Sequence, residues 1–124
     1  MLKDYLLEYK ALSGISEEGE FSELTPAAAN HLSTIAYAHH GMAKQSGNDA
    51  DIVRAIRSHT NAANTFAALS KHSRAIGDHE SADQHGAMSV DHGEAADSLA
   101  DFSNPAHMDA FSDTQEAATE LVPV

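Results

Sequence analysis

The sequence predicts an all-α protein: an antiparallel three-helix up-down-up bundle with a short N-terminal helix and a partly irregular C-terminal tail. From Thr25 to about Phe102, apolar residues recur at alternating steps of three and four, the spacing of one helix face. Only two interruptions fall in that stretch, Ser-Gly-Asn-Asp at 46–49 and Gly-Asp at 77–78. Each pairs a glycine that ends one helix with a polar residue that starts the next. Connections this short make consecutive helices antiparallel neighbours.

The elements follow in order. Leu2, Tyr5, Leu6, Tyr9 and Leu12 form one apolar stripe on a short helix that Gly14 ends, and the glutamate-rich ISEEGEFSEL after it reads as an exposed connector. Thr25 then Pro26 is a helix start, because threonine caps and proline fits the first helical position, where no N–H is needed. The first long helix runs to about Ser46, with Gly47 as its stop and Asn48 or Asp49 as cap of the second. The second runs to Ile76 and the third to about Phe102, where Ser-Asn-Pro closes it. The expected seams are Leu32, Ile35, His39 and Met42; Ile52, Ala55, His59, Ala62, Phe66, Leu69, Ser73 and Ile76; and Ser81, His85, Met88, His92, Ala95, Leu99 and Phe102. The tail, AHMDAF and then DTQEAATELV, holds a possible short helix begun by Asp113 or Thr114. Three regions result: an arm at 1–24, the bundle at 25–103 and the tail at 104–124.

Length and composition bound what such a bundle can do. A chain of 124 residues supports one core. Alanine supplies 23 of its apolar positions and tryptophan none, so the core is thin and self-association or docking on a larger partner is an attractive source of stability. A formal charge of −12 opposes contact with phosphate backbones and anionic membranes, so neither nucleic acid nor membrane is an expected partner. The third helix region carries seven acids and no Lys or Arg, whereas the second carries Arg54, Arg57, Lys71 and Arg74, which favours these two lying side by side. Without cysteine there is no disulfide, thiolate metal site or Cys nucleophile. No apolar run has membrane-span length, and Lys3, Asp4 and Glu8 do not fit a signal peptide, so a cytoplasmic origin is expected.

Nine histidines are the compositional feature that could carry chemistry. His39, His59, His85 and His92 fall in the seams, and turn-to-turn counting brings His39, His59 and His92 to similar heights. A zinc-type ion needs three or four such ligands with outer partners, and no HxxxH or ExxH pair projects two from one face. Three readings of the seam histidines stand side by side: packed polar register marks, a metal site, or titrating groups. Protonating all nine would move the formal charge from −12 to −3. Gly86 and Gly93, each directly after a seam histidine and seven residues apart, suggest close approach of another backbone, either the first long helix or a second protein chain. No GxSxG and no phosphate-cradling loop is present. The expectation is therefore no catalytic, metal or cofactor residues, with partner contacts at Leu2, Tyr5, Leu6, Tyr9, Gly86 and Gly93.

The Ala-rich, His-punctuated text from AAANHLSTIAYAHHGMAK through RSHTNAANTFAALSKHSRA to DQHGAMSVDHGEAADSLADF resembles that of small helical structural proteins of tailed bacteriophages. The likeness is one of composition and covers about residues 27–102. It implies a non-enzymatic virion component made in the host cytoplasm, such as a capsid decoration or cement protein, present in many copies or as a homo-oligomer and docked on a larger protein assembly. The acidic balance suits a position against capsid protein or solvent. A histidine-rich metal-binding bundle and an acidic nucleic-acid-mimic inhibitor are the alternatives.

Overall fold

The structure is a computed structural model that describes residues 25–111. These residues are all-helical, without a strand. Three long helices, α1 (Pro26–Ser46), α2 (Asp49–Ala75) and α3 (His79–Leu99), are followed by a short helical stretch, α4, at 105–111. The stripe at 2–12, the connector and the expected helix at Asp113 or Thr114 lie outside the described residues.

Local chemistry sets the helix ends. Thr25 accepts a hydrogen bond at Oγ1 from the Ala28 N–H (3.2 Å), Asn48 at Oδ1 from Asp51 N–H (2.9 Å), and Asp78 at Oδ1 from Ser81 N–H (3.2 Å). Each thereby satisfies a first-turn donor that has no partner within its helix. Gly47 and Gly77 take φ of +66° and +86°, left-handed conformations that residues with a Cβ avoid. Two boundaries differ from the sequence reading. α2 stops at Ala75, leaving Ile76 as its cap, and α3 stops at Leu99 instead of Phe102, with Ala100 extended as its cap.

α2 packs against both α1 and α3. It is accordingly buried on most of its circumference, and Thr60 and Thr65 donate their hydroxyls to the carbonyls of Ile56 and Asn61 (2.7 and 2.8 Å), which spares them other partners. Apolar clusters form Leu32 with Ala36 and Ala62; Ala29 with Phe66, Leu69 and Met88; and Ile56 with Ala96 and Ala110. Among the described residues, ten of the fifteen buried apolar ones are alanine, so backbones approach closely and few side chains supply volume. The close approach shows between α2 and α3. Ser70 Oγ donates to the Ala82 carbonyl (2.6 Å) and Ser89 Oγ to the Ala63 carbonyl (2.8 Å), side chain to backbone in both directions.

The seam of α2 lies where its periodicity places it, from Ala55 to Ser73, and Leu32, Ile35 and His39 of the expected α1 seam and His92 of the α3 seam are buried, but the ends are corrected. Ile76, Phe102 and Met42 are exposed, at 67%, 63% and 45%. The deeply buried residues of α1 include Ala29, Ala36 and Ala43, and those of α3 are Ala82, His92 and Ala96. Small side chains mark the places of closest helix approach, and the bulkier Met42, Ile76 and Phe102 at the ends turn outward.

The segment after α3 is tied back onto the start of α2. His107, buried, accepts the Asp101 backbone N–H at Nδ1 (2.9 Å), so its Nε2 carries the proton and donates to Asp49 Oδ1 (2.7 Å). Asn104 Nδ2 donates to the same oxygen (3.1 Å). Phe102 and Phe111 stack at 6.5 Å beside this clasp.

Candidate functional site

The chemistry of the molecule is concentrated at mid-height, where α1, α2 and α3 each contribute polar groups to the interior. His59 lies on the α2 seam between Ile56 and Ala62, and is 0% exposed. His92, on α3, is also 0% exposed. Their Nδ1 atoms are 2.8 Å apart. On the other side of its ring, His59 Nε2 is 2.9 Å from His40 Nδ1, and His92 Nε2 is 2.7 Å from Ser33 Oγ. The four side chains form one continuous row, His40, His59, His92 and Ser33, with both ends on α1.

Aromatic rings enclose the row. Tyr37 lies against His92 at 5.0 Å and His59 at 5.1 Å, and Phe66 stacks on His92 at 6.0 Å with an interplanar angle of 8°. His85 stacks on the same Phe66 at 5.9 Å. Desolvation disfavours the charged imidazole. Burial, reinforced by the neighbouring His92 and His40, pushes His59 down to about 4. Burial also lowers His92, His40 and His39, with Lys44 adding to the effect at His40 and Arg54 at His39.

The sequence reading placed His39, His59 and His92 together. The structure joins His59 and His92 directly, but their partner from α1 is His40, one residue on from His39. Ser33 was not anticipated, although it lies seven residues, two helical turns, before His40. His85 sits half-buried on the α3 flank next to Phe66 rather than in the row.

Among the described residues, no group of three or more His, Asp or Glu side chains converges on a point that could hold a metal ion. Geometry accounts for this in the row itself. His59 presents Nε2 to one neighbour and Nδ1 to the other, on opposite sides of its ring, so the three imidazoles lie end to end and do not share a focus.

No protein-family model matches the chain, and comparison with curated proteins and with solved structures finds no significant match. The residues themselves therefore carry the functional argument.

The two glycines expected to mark a close approach behave differently. A Cβ built on Gly86 would lie 3.4 Å from Ser70 Oγ, so the element Gly86 approaches is α2, neither of the two neighbours expected for it. A Cβ on Gly93 would meet nothing within 4 Å. Gly93→Ala is thus expected to stabilise the isolated protein by about 0.5–1 kcal/mol, the helix-interior penalty of glycine. Urea unfolding followed by circular dichroism measures this, and a loss of stability would mean that the position is covered in solution. Leu2, Tyr5, Leu6 and Tyr9, the other expected contacts, lie outside the described residues.

No helix among the described residues is long and apolar enough to cross a membrane.

Proposed function

We propose that the protein is a non-enzymatic structural and interaction module: an antiparallel up-down-up three-helix bundle that docks, in many copies or as a homo-oligomer, on a larger protein assembly. The pairings of side chains support the topology. Along α1, His40 meets His59, Leu32 and Ala36 meet Ala62, and Ala29 meets Phe66 and Leu69; along α3, His92 meets His59, Ser89 meets Ala63 and Ala82 meets Ser70. In both pairs one number falls as the other rises.

The observation that carries the function is the outer flank of α3. This helix fully buries only Ala82, His92 and Ala96, while Asp83, Val90, Asp91, Glu94 and Asp97 are exposed and no Lys or Arg lies anywhere on it. An acidic helix face around an exposed valine and the open Gly93 suits a basic protein surface. With the compositional resemblance to tailed-phage structural proteins, the best-supported setting is a virion made in the host cytoplasm, with the protein as a capsid decoration or cement component bearing no cofactor and not touching nucleic acid.

Native mass spectrometry and particle co-sedimentation test this. The full chain is expected to run as a metal-free oligomer, or as a monomer that joins purified particles from its source. Asp91→Lys with Glu94→Lys is expected to leave circular dichroism unchanged and to lower particle-bound protein at least about tenfold, the scale of 1.4 kcal/mol in binding. A chain absent from particles, or binding indifferent to the double substitution, would overturn the reading.

A further inference from the structure

The inner part of the row, His59 and His92, is fully buried between apolar layers, with His40 half-buried at its outer end. Ile56 and Ala96 lie on one side and Leu32, Ala36 and Ala62 on the other. A polar row in that position is held by protons alone, and these can be counted. Each neutral imidazole carries one ring proton, giving three protons on the six nitrogens of His40, His59 and His92. The two nitrogen–nitrogen contacts, at 2.9 and 2.8 Å, each need one proton between them. The third proton occupies an outer nitrogen, Nε2 of His40 or Nε2 of His92, and the Ser33 hydroxyl accepts or donates accordingly.

A fourth proton fills the remaining outer nitrogen and leaves every contact intact, with its charge shared among the rings. A fifth has nowhere to go except into a contact that already holds one. Two N–H groups then face each other, and that contact must open.

We propose that the His40–His59–His92–Ser33 row is an acid-operated latch that takes up one proton with its contacts intact and parts when a second arrives, releasing α1 and α3 from α2. The device is independent of what the protein assembles with.

The groups facing the row set when it parts. Lys44 on α1 acts on His40, Asp91 on α3 acts on His92, and Tyr37 lies against His59 and His92, whereas Arg54 and Asp51 on α2 act on the neighbouring His39, outside the row. Lys44 opposes added positive charge at His40, as do the imidazoles toward one another. Asp91 favours it at His92, where the stacked Phe66 ring accommodates a cation. The first proton is therefore tolerated and the second is not.

The test follows the melting temperature of the full chain from pH 7 to 5, above the ordinary carboxylate values of about 3.9 and 4.3. His59→Gln keeps one donor and one acceptor but takes no proton. It is expected to show less than half the melting-temperature drop of the unsubstituted protein, whereas His79→Gln, at an exposed histidine, shows the full drop. An equal drop in His59→Gln and the unsubstituted protein would overturn the latch. Should His59→Gln fail to fold at pH 7, 15N shifts of the unsubstituted protein decide instead. The latch requires the His59 and His92 Nδ1 signals to move together in a first one-proton step with helix amides unchanged, followed by loss of amide protection in α1 and α3. Independent titration of the three rings with the helices still protected would overturn it.

Discussion

Phe66→Ala is expected to remove about 3–5 kcal/mol of stability, the range for deleting a buried phenyl ring. The high end applies here. Among the described residues only five buried apolar ones exceed alanine in size, namely Leu32, Ile35, Ile56, Phe66 and Leu69, and Phe66 is the largest of the fully buried side chains there. Ala29 and Ala68 beside it have no side-chain freedom with which to refill the space, and only Leu69 and Met88 can shift into it. The ring also stacks on His92 and His85, and its loss opens a path for water to the histidine row. For a domain near this size 1 kcal/mol moves the midpoint by about 4–8 °C, so a fall of at least about 12 °C is expected in a thermal melt. A change below about 1 kcal/mol would mean that Phe66 is not at the centre of the core.

Acidification of the unsubstituted protein is expected to have the second largest effect. His59 is held down at about 4 in the folded protein, against an ordinary value of 6.5. The unfolded chain therefore binds the proton first as pH falls. Stability is full above about pH 6.5 and is lost progressively down to about pH 4, below which both states are protonated and the loss levels off. At 1.36 kcal/mol per unit, His59 alone accounts for a loss on the order of 3 kcal/mol. Lowering of His92, His40 and His39 acts in the same direction. Urea midpoints at pH 7.5, 6, 5 and 4.5 measure this directly. A midpoint constant across that series would show that the row is hydrated in solution.

The helix boundaries were readable from the sequence because they depend on local chemistry. Thr25, Gly47, Asn48, Gly77 and Asp78 each do at their positions what their side chains, or the lack of one, dictate. The α2 stripe was readable for a different reason: a helix covered on two sides has a broad buried face, and a small phase error still falls inside it. The flanking helices have no such margin. In α1 the stripe placed Leu32, Ile35 and His39 inside as they are, but it passed over the buried Ala29, Ala36 and Ala43 and ran on to the exposed Met42. Adjacent histidines at 39 and 40 are about 100° apart around the helix, and with both buried or half-buried nothing in their chemistry shows which one meets His59. Ser33 has no sequence mark at all, since a serine in a helix ordinarily turns to solvent or to its own backbone.

The clasp at His107 bears on how the chain comes apart. Asp49 and His107 are 58 residues apart, so their bond closes a long loop and is among the costlier contacts to form early. The segment it holds contributes few buried groups, chiefly Ala110 and His107 itself. Residues 101–111 are thus the least expensive cooperative unit to detach, and their amides, together with those of the first turn of α2, are expected to exchange with solvent as one group before the interior of α2 does. Detachment would bare Ile56 and Ala96, so the end of the protein farthest from Phe66 is where unfolding begins.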